Sequence, residues 1–197
     1  RELEDLVTDL KSTLVTKRLK SIKSLGKLKT PLAVDPIRET LHDRSREVRC
    51  AAIEALAQIN APNLAEHLIP EASDRSGDVR LRVAMALGAC DQEDAVQCLF
   101  DLLRDSKDDV AGMAARSLAR HPKKTLARLV RLFGDKSWKF RSRAAGAIAR
   151  IGRIATDALL SGLDDQDPNV RFWSALTLGR LKDKAHTKEL LAKLSDV

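Results

Sequence analysis

The chain has 197 residues, 44% hydrophobic and 32% charged, with 35 Lys and Arg against 28 Asp and Glu for a formal charge of +7. Four Phe, two Trp and no Tyr leave the core to Ala, Leu, Ile and Val, the composition of close-packed helices, which excludes an ordinary β-sandwich or barrel. No apolar run reaches the roughly 18 residues of a membrane span and Arg1-Glu2-Leu3-Glu4-Asp5 opens no targeting segment, so a cytoplasmic protein without membrane contact is expected.

The first helical pattern runs from Lys17 to Gly26, where Ser21, Ser24 and Leu25 stand four, seven and eight positions beyond Lys17. That spacing is one face of an α-helix. It returns five times, each time opened by an Asp five residues before the first apolar position: Asp43 to Val48, Asp74 to Val79, Asp105 to Val110, Asp135 to Phe140 and Asp165 to Val170. Successive Asp residues are 31, 31, 30 and 30 apart. Counting the apolar residue as zero, offsets 4, 7 and 8 are Ala52, Ala55 and Leu56, then Val83, Ala86 and Leu87, then Ala114, Ser117 and Leu118. The last two units give Ala144, Ala147 and Ile148, then Ser174, Thr177 and Leu178, keeping small residues where a neighbouring helix must come close.

A shorter helix precedes each Asp, with apolar residues such as Leu99, Phe100 and Leu103, or Leu129, Val130 and Phe133, or Leu159, Leu160 and Leu163. Each unit is therefore a helical hairpin whose turn starts with Asp, and Glu47, Asp78 or Asp109 complements the positive start of the second helix. Breaks fall at Thr30-Pro31, Ala61-Pro62 and His121-Pro122. The units run approximately 1–30, 31–61, 62–92, 93–121, 122–152 and 153–183. A partial unit, 184–197, has Ala185 to Leu194 as its first helix and Asp196 falling 31 residues after Asp165. One hairpin cannot bury both faces of its second helix, whereas a stack of them makes a continuous core. The expectation is an all-α, right-handed α-solenoid forming a single domain over 1–197, excised from a longer chain.

The pattern D-x-x-x-x-V-R-x-x-A-x-x-A-L resembles HEAT-like repeats of the short type found in phycobilisome-lyase-like proteins, over essentially the whole chain. The resemblance implies scaffolds, lyase subunits, a metal hydroxylase or, more distantly, DNA glycosylases. It also implies a structural ladder of Asp43, Asp74, Asp135 and Asp165 with Arg49, Arg80, Arg141 and Arg171, broken where Ala111 stands in the fourth unit. By the same resemblance the second helices line a concave groove.

Enzymatic signatures are missing: there is no glycine-rich phosphate loop, G-x-S-x-G, H-E-x-x-H or C-x-x-C. His42, His67, His121 and His186 are scattered, and only a reversed Glu66-His67 stands where the related hydroxylases carry paired His-Glu dipeptides. Asp165-Gln-Asp167 opens like a calcium loop, but Val170 replaces the required Gly and Leu176 the required Glu. Cys50, Cys90 and Cys98 lack metal-ligand spacing and read as reduced thiols. No enzyme, cofactor, metal or small-molecule substrate is expected.

The charge is concentrated. Residues 110–153 hold twelve cations against the single acid Asp135, a local +11 that leaves the rest of the chain at −4. A smaller cluster, Lys11, Lys17, Arg18, Lys20, Lys23, Lys27 and Lys29, occupies the first unit. Offset 10 of the second helix is Lys27, Gln58, Ala89, Arg120, Arg150 and Arg180 through the six units, and offsets 3, 6 and 10 share a flank that adds Arg116 and Arg143. Lys139 stands where an acid is expected at a helix start, beside Trp138, which reads as a packing residue at the turn in preference to an exposed anchor. One of Phe172 and Trp173 must face away from the core. The expected partner-binding set is Arg116, Arg120, Lys123, Lys124, Trp138, Lys139, Arg143, Arg150, Arg153 and Arg180. The expected function is a non-enzymatic scaffold binding an acidic protein segment, with sequence-tolerant nucleic-acid binding through the same strip as the alternative and a lyase-like accessory subunit third.

Overall fold

The computed structural model describes residues 2–181, so Arg180 and Leu181 close the description, and the expected helix Ala185 to Leu194, His186 and Asp196 lie outside it. The described residues form twelve α-helices and no strand. In chain order these are α1 Glu2–Asp9, α2 Val15–Leu28, α3 Val34–Glu39, α4 Arg46–Ile59, α5 Leu64–Leu68, α6 Gly77–Leu87, α7 Glu93–Leu102, α8 Asp108–Leu118, α9 Pro122–Arg131, α10 Trp138–Ile151, α11 Thr156–Gly162 and α12 Pro168–Leu181. None of them is long and apolar enough to cross a membrane.

The chain divides into two compact units, Arg1–Leu102 and Leu103–Val197. In the N-terminal unit the second helices of successive hairpins pack side by side, α2 on α4 and α4 on α6, while α1 lies against α2 and α3 against α4. The C-terminal unit repeats the arrangement, α8 on α10 and α10 on α12, with α9 and α11 on the other side. The residues at offsets 4, 7 and 8 explain the close approach: Ala52, Ala55 and Leu56 are buried in α4, and Ala144, Ala147 and Ile148 in α10. At Gly26 of α2 the fit is tighter still, because an added Cβ would stand 3.2 Å from the Ala55 Cβ and 3.3 Å from its Cα.

Helix ends follow local chemistry. Asn60 ends α4 in the left-handed region at φ 57°, a conformation asparagine tolerates. Pro122 starts α9 at the first helical position, where its missing N–H costs nothing. Several first helices finish as a 3₁₀ turn that delivers the chain to the Asp of the next turn, as at Thr40–His42, Pro70–Ser73 and Leu132–Gly134.

Candidate functional site

In all five units the turn Asp folds back on its own turn. The Oδ1 atoms of Asp43, Asp74, Asp105, Asp135 and Asp165 accept the backbone N–H two residues on at 2.8, 2.7, 2.8, 2.9 and 2.9 Å. The arginine at offset 1 then donates to the carbonyl oxygen of that same Asp: Arg49 to Asp43, Arg80 to Asp74, Arg141 to Asp135 and Arg171 to Asp165, at 2.7–2.8 Å. Between repeats, the Arg49 fork reaches Asp74 with Nε at 2.7 Å and Nη2 at 2.9 Å, both side chains under 10% exposed. Burial alone would raise the Asp74 carboxyl, and the Arg49 and Ser76 donors outweigh it, leaving a net depression.

Two members of the ladder escaped the sequence pattern. Arg18, at offset 1 of the degenerate first unit, donates to Asp43 at 2.9 Å and to the Ser12 carbonyl at 2.8 Å. Its register position was the available signal. Arg104, on the residue before Asp105, reaches Asp135 at 2.7 Å and so supplies the charge that Ala111 cannot. The rung from Arg141 to Asp165 does not form: Arg141 Nη1 serves the carbonyls of Asp135 and Lys136, and Asp165 receives Asp167 N–H.

The basic strip is redrawn by the same geometry. Arg143 is committed within the fold, donating to the Leu103 carbonyl and to Asp108 Oδ1, both at 2.7 Å. Lys139 reaches the same carboxylate at 2.9 Å. Hydrogen bonds from Lys139 and Arg143 hold Asp108 below its ordinary value. A cation at the start of α10 thus has a structural reason, the acid at the start of α8. Phe140 adds a further tie, with the Arg104 guanidinium 4.3 Å and the Arg143 guanidinium 5.8 Å from its ring centre. In α6 and α10 offset 3 pairs back toward the preceding second helix rather than joining the exposed flank: like Arg143, Arg82 at this offset reaches back, to Glu54 of α4 at 2.9 Å.

Offset 10 is exposed in all six second-helix positions. Arg150 and Arg180 sit in the last turns of α10 and α12. Arg120 lies beyond the end of α8, in the turn that leads to Pro122, because α8 stops at Leu118. Lys123 and Lys124 are exposed in the first turn of α9, and Arg153 is exposed in the 3₁₀ turn Gly152–Ala155. Arg116, Arg120, Lys123, Arg150, Arg153 and Arg180 are exposed and make no ion pair or side-chain hydrogen bond among the described residues. Trp138, the first residue of α10, is 68% exposed and so is not packed at its turn. Trp173 instead stacks on Phe133 with ring centres 6.2 Å apart, and Phe172 is the member of that pair facing solvent. The three cysteines are free thiols whose burial raises them, Cys98 to about 11.

Helical hairpins stacked through small-residue faces, with an Asp turn repeated every 30 or 31 residues, define the class: an α-solenoid. The model for HEAT repeats matches residues 3–70, 65–136 and 125–196, and the chain belongs to that family. No curated protein sequence matches it. Among solved structures it is similar to the complex of CpcE and CpcF of phycocyanin lyase from Nostoc sp. PCC7120, at 20% identity over 94% of this chain and 79% of that one, with a TM-score of 0.60. Human deoxyhypusine hydroxylase in complex with glycerol is similar at 19% identity, 99% and 77% coverage and a TM-score of 0.55. A designed armadillo repeat protein in complex with the peptide (KR)4 is similar at 21% identity, 92% and 100% coverage and a TM-score of 0.53. These likenesses describe the fold, a HEAT and armadillo-like helical stack.

Proposed function

We propose that the chain is a non-enzymatic interaction scaffold whose C-terminal unit binds an acidic segment of a protein partner. The observation that carries this reading is the sorting of its cations. Arg104, Lys139 and Arg143 are consumed by Asp135 and Asp108, while Arg116, Arg120, Lys123, Arg150, Arg153 and Arg180 remain exposed and unpaired among the described residues. They gather near the ends of successive second helices, where Arg150 and Arg180 also gain from the negative end of the helix dipole. Lys123 gains nothing from its helix, since it stands at the positive start of α9 with no acid in that turn.

Preformed helices hold the side chains in place, so binding requires little ordering of the receptor, and guanidinium forks donate bidentately to carboxylates. Neighbouring helices about 8 to 10 Å apart place their arginines at a spacing close to carboxylates seven residues apart on a helix, about 10.5 Å. The designed armadillo protein complexed with (KR)4 illustrates a charged peptide on this fold; here the charge is reversed and the complement is acidic.

The test is fluorescence anisotropy of a labelled Glu-rich helical peptide with the wild type and with Arg120, Arg150 and Arg180 all changed to Glu. Binding lost with the thermal midpoint unchanged within a few degrees is the expected outcome. A drop in midpoint with binding intact would make the arginines helix-end supports, and duplex DNA binding lost in the same variant would assign the rim to phosphates.

A further inference from the structure

The N-terminal unit carries a second basic surface of different make. Between Leu10 and Val34 the chain has seven cations and no acid. Two of the seven are used: Lys17 pairs with Asp9 at 2.7 Å and Arg18 with Asp43. Lys20, Lys23 and Lys27 are exposed on α2, lie within an arc of about 60° at 100° per residue, and make no ion pair or side-chain hydrogen bond among the described residues. They repel one another at spacings of three and four residues with no acid in the helix to relieve them. Lys11 and Lys29, also exposed and unpaired among the described residues, stand in the segments just before and just after α2. A polar outer face needed only for solubility would mix signs.

We propose that this lysine row binds the phosphate backbone of duplex nucleic acid, independently of the arginine rim in the C-terminal unit. Lysine is depleted at protein interfaces, which rely on apolar or aromatic anchors, and the arc of the row contains none; Thr16 and Ser24 are its helical neighbours, while the exposed Leu14 and Leu28 stand at the two ends of α2, outside that arc. Phosphate contact asks only for point charges along a line. Lys20 to Lys27 spans about 10.5 Å, over which a duplex presents a charge about every 1.7 Å of axis. The single aromatic residue of 1–102 is Phe100, which is buried, so the stacking platform that single strands need is missing from this unit.

The experiment is fluorescence anisotropy of a labelled mixed-sequence duplex of about 20 base pairs over a series of salt concentrations. Three proteins are compared: the wild type, K20Q/K23Q/K27Q, and R120E/R150E/R180E, with far-ultraviolet circular dichroism confirming that each is folded. The wild type should bind with a steep salt dependence. The lysine variant should lose affinity at low salt, and the slope of log affinity against log salt should become shallower by about 3, close to one per phosphate contact removed. The arginine variant should keep that slope. No duplex binding by the wild type at low salt, an unchanged slope in the lysine variant, or displacement of the duplex by a Glu-rich peptide of equal charge at equal concentration would each overturn the proposal. Loss confined to the arginine variant would also overturn it, by returning the phosphates to the C-terminal rim.

Discussion

Arg49 and Asp74 show how one residue type serves the stack twice. The guanidinium closes its own turn through the Asp43 carbonyl and clamps the next turn through Asp74, so removing it leaves a carboxylate 9% exposed without its main donor. Arg49→Ala should cost about 3 kcal/mol, read by denaturant unfolding, because breaking a buried pair strands the remaining charge. The pH sign follows from the depressed Asp74 carboxyl: its contribution is present above the unfolded value near 3.8 and disappears as pH falls through the lower folded value. Asp74→Asn should therefore flatten the acid limb of a plot of thermal midpoint against pH. Glu71 has the opposite sense, since burial raises it in spite of His42, with Asp74 adding to the rise. Its contribution is complete below the ordinary carboxylate range and is lost as pH rises through the raised value, so Glu71→Gln should gain on the wild type as pH rises above that range. Trp138→Ala offers a sharp contrast with the packing role its turn position suggests. At 68% exposure it should change stability by less than about 0.5 kcal/mol, whereas a packed tryptophan would cost about 3 to 5.

Elements differ in how they use small residues, and two glycines make the difference measurable. Gly26 of α2 faces Ala55 of α4, and a Cβ there would meet that residue's Cβ and backbone Cα at 3.2 and 3.3 Å. Gly146 of α10 has nothing within 4 Å of the same position. Gly26→Ala should destabilise by about 1 to 3 kcal/mol through overpacking. Gly146→Ala should stabilise by about 0.5 to 1 kcal/mol through helix propensity alone. Thermal midpoints moving in opposite directions would confirm that α2 against α4 is a close backbone contact and that the Gly146 face of α10 is open. The same logic explains Arg120. Its register matches Arg150 and Arg180, but α8 is three residues shorter than α10, so the arginine is carried by a turn instead of a helix. Register fixes angular position, while helix length depends on where the following proline and its preceding residue stop the chain.

For the whole molecule, a net charge of +7 with +11 in residues 110–153 makes the electrostatics regional. Capture of an acidic partner should accelerate at low ionic strength and fall away as the screening length shrinks from about 30 Å at 0.01 M to about 8 Å at 0.15 M. Stopped-flow association rates for the Glu-rich peptide at those two salts would measure it, and a rate independent of salt would remove the charge rim from the encounter. The all-helical hairpin architecture and the buried positions at offsets 4, 7 and 8 were legible in the sequence because a repeated 0, 4, 7, 8 spacing admits one secondary structure and one buried face. The turn Asp was legible for the same reason: five copies at a constant distance from a helix start have one local job. Partnerships across repeats were beyond that reach. Arg104 replacing the charge missing at Ala111, Asp108 drawing Lys139 and Arg143 out of the exposed strip, and Arg141 failing to meet Asp165 all depend on the side-by-side placement of helices some thirty residues apart. Periodicity determines which face of a helix a residue occupies. Which neighbour waits there, and whether a charge is spent on it or left for a partner, is decided by the stacking of the hairpins, because ion pairs form over a few ångströms of space and not along the chain.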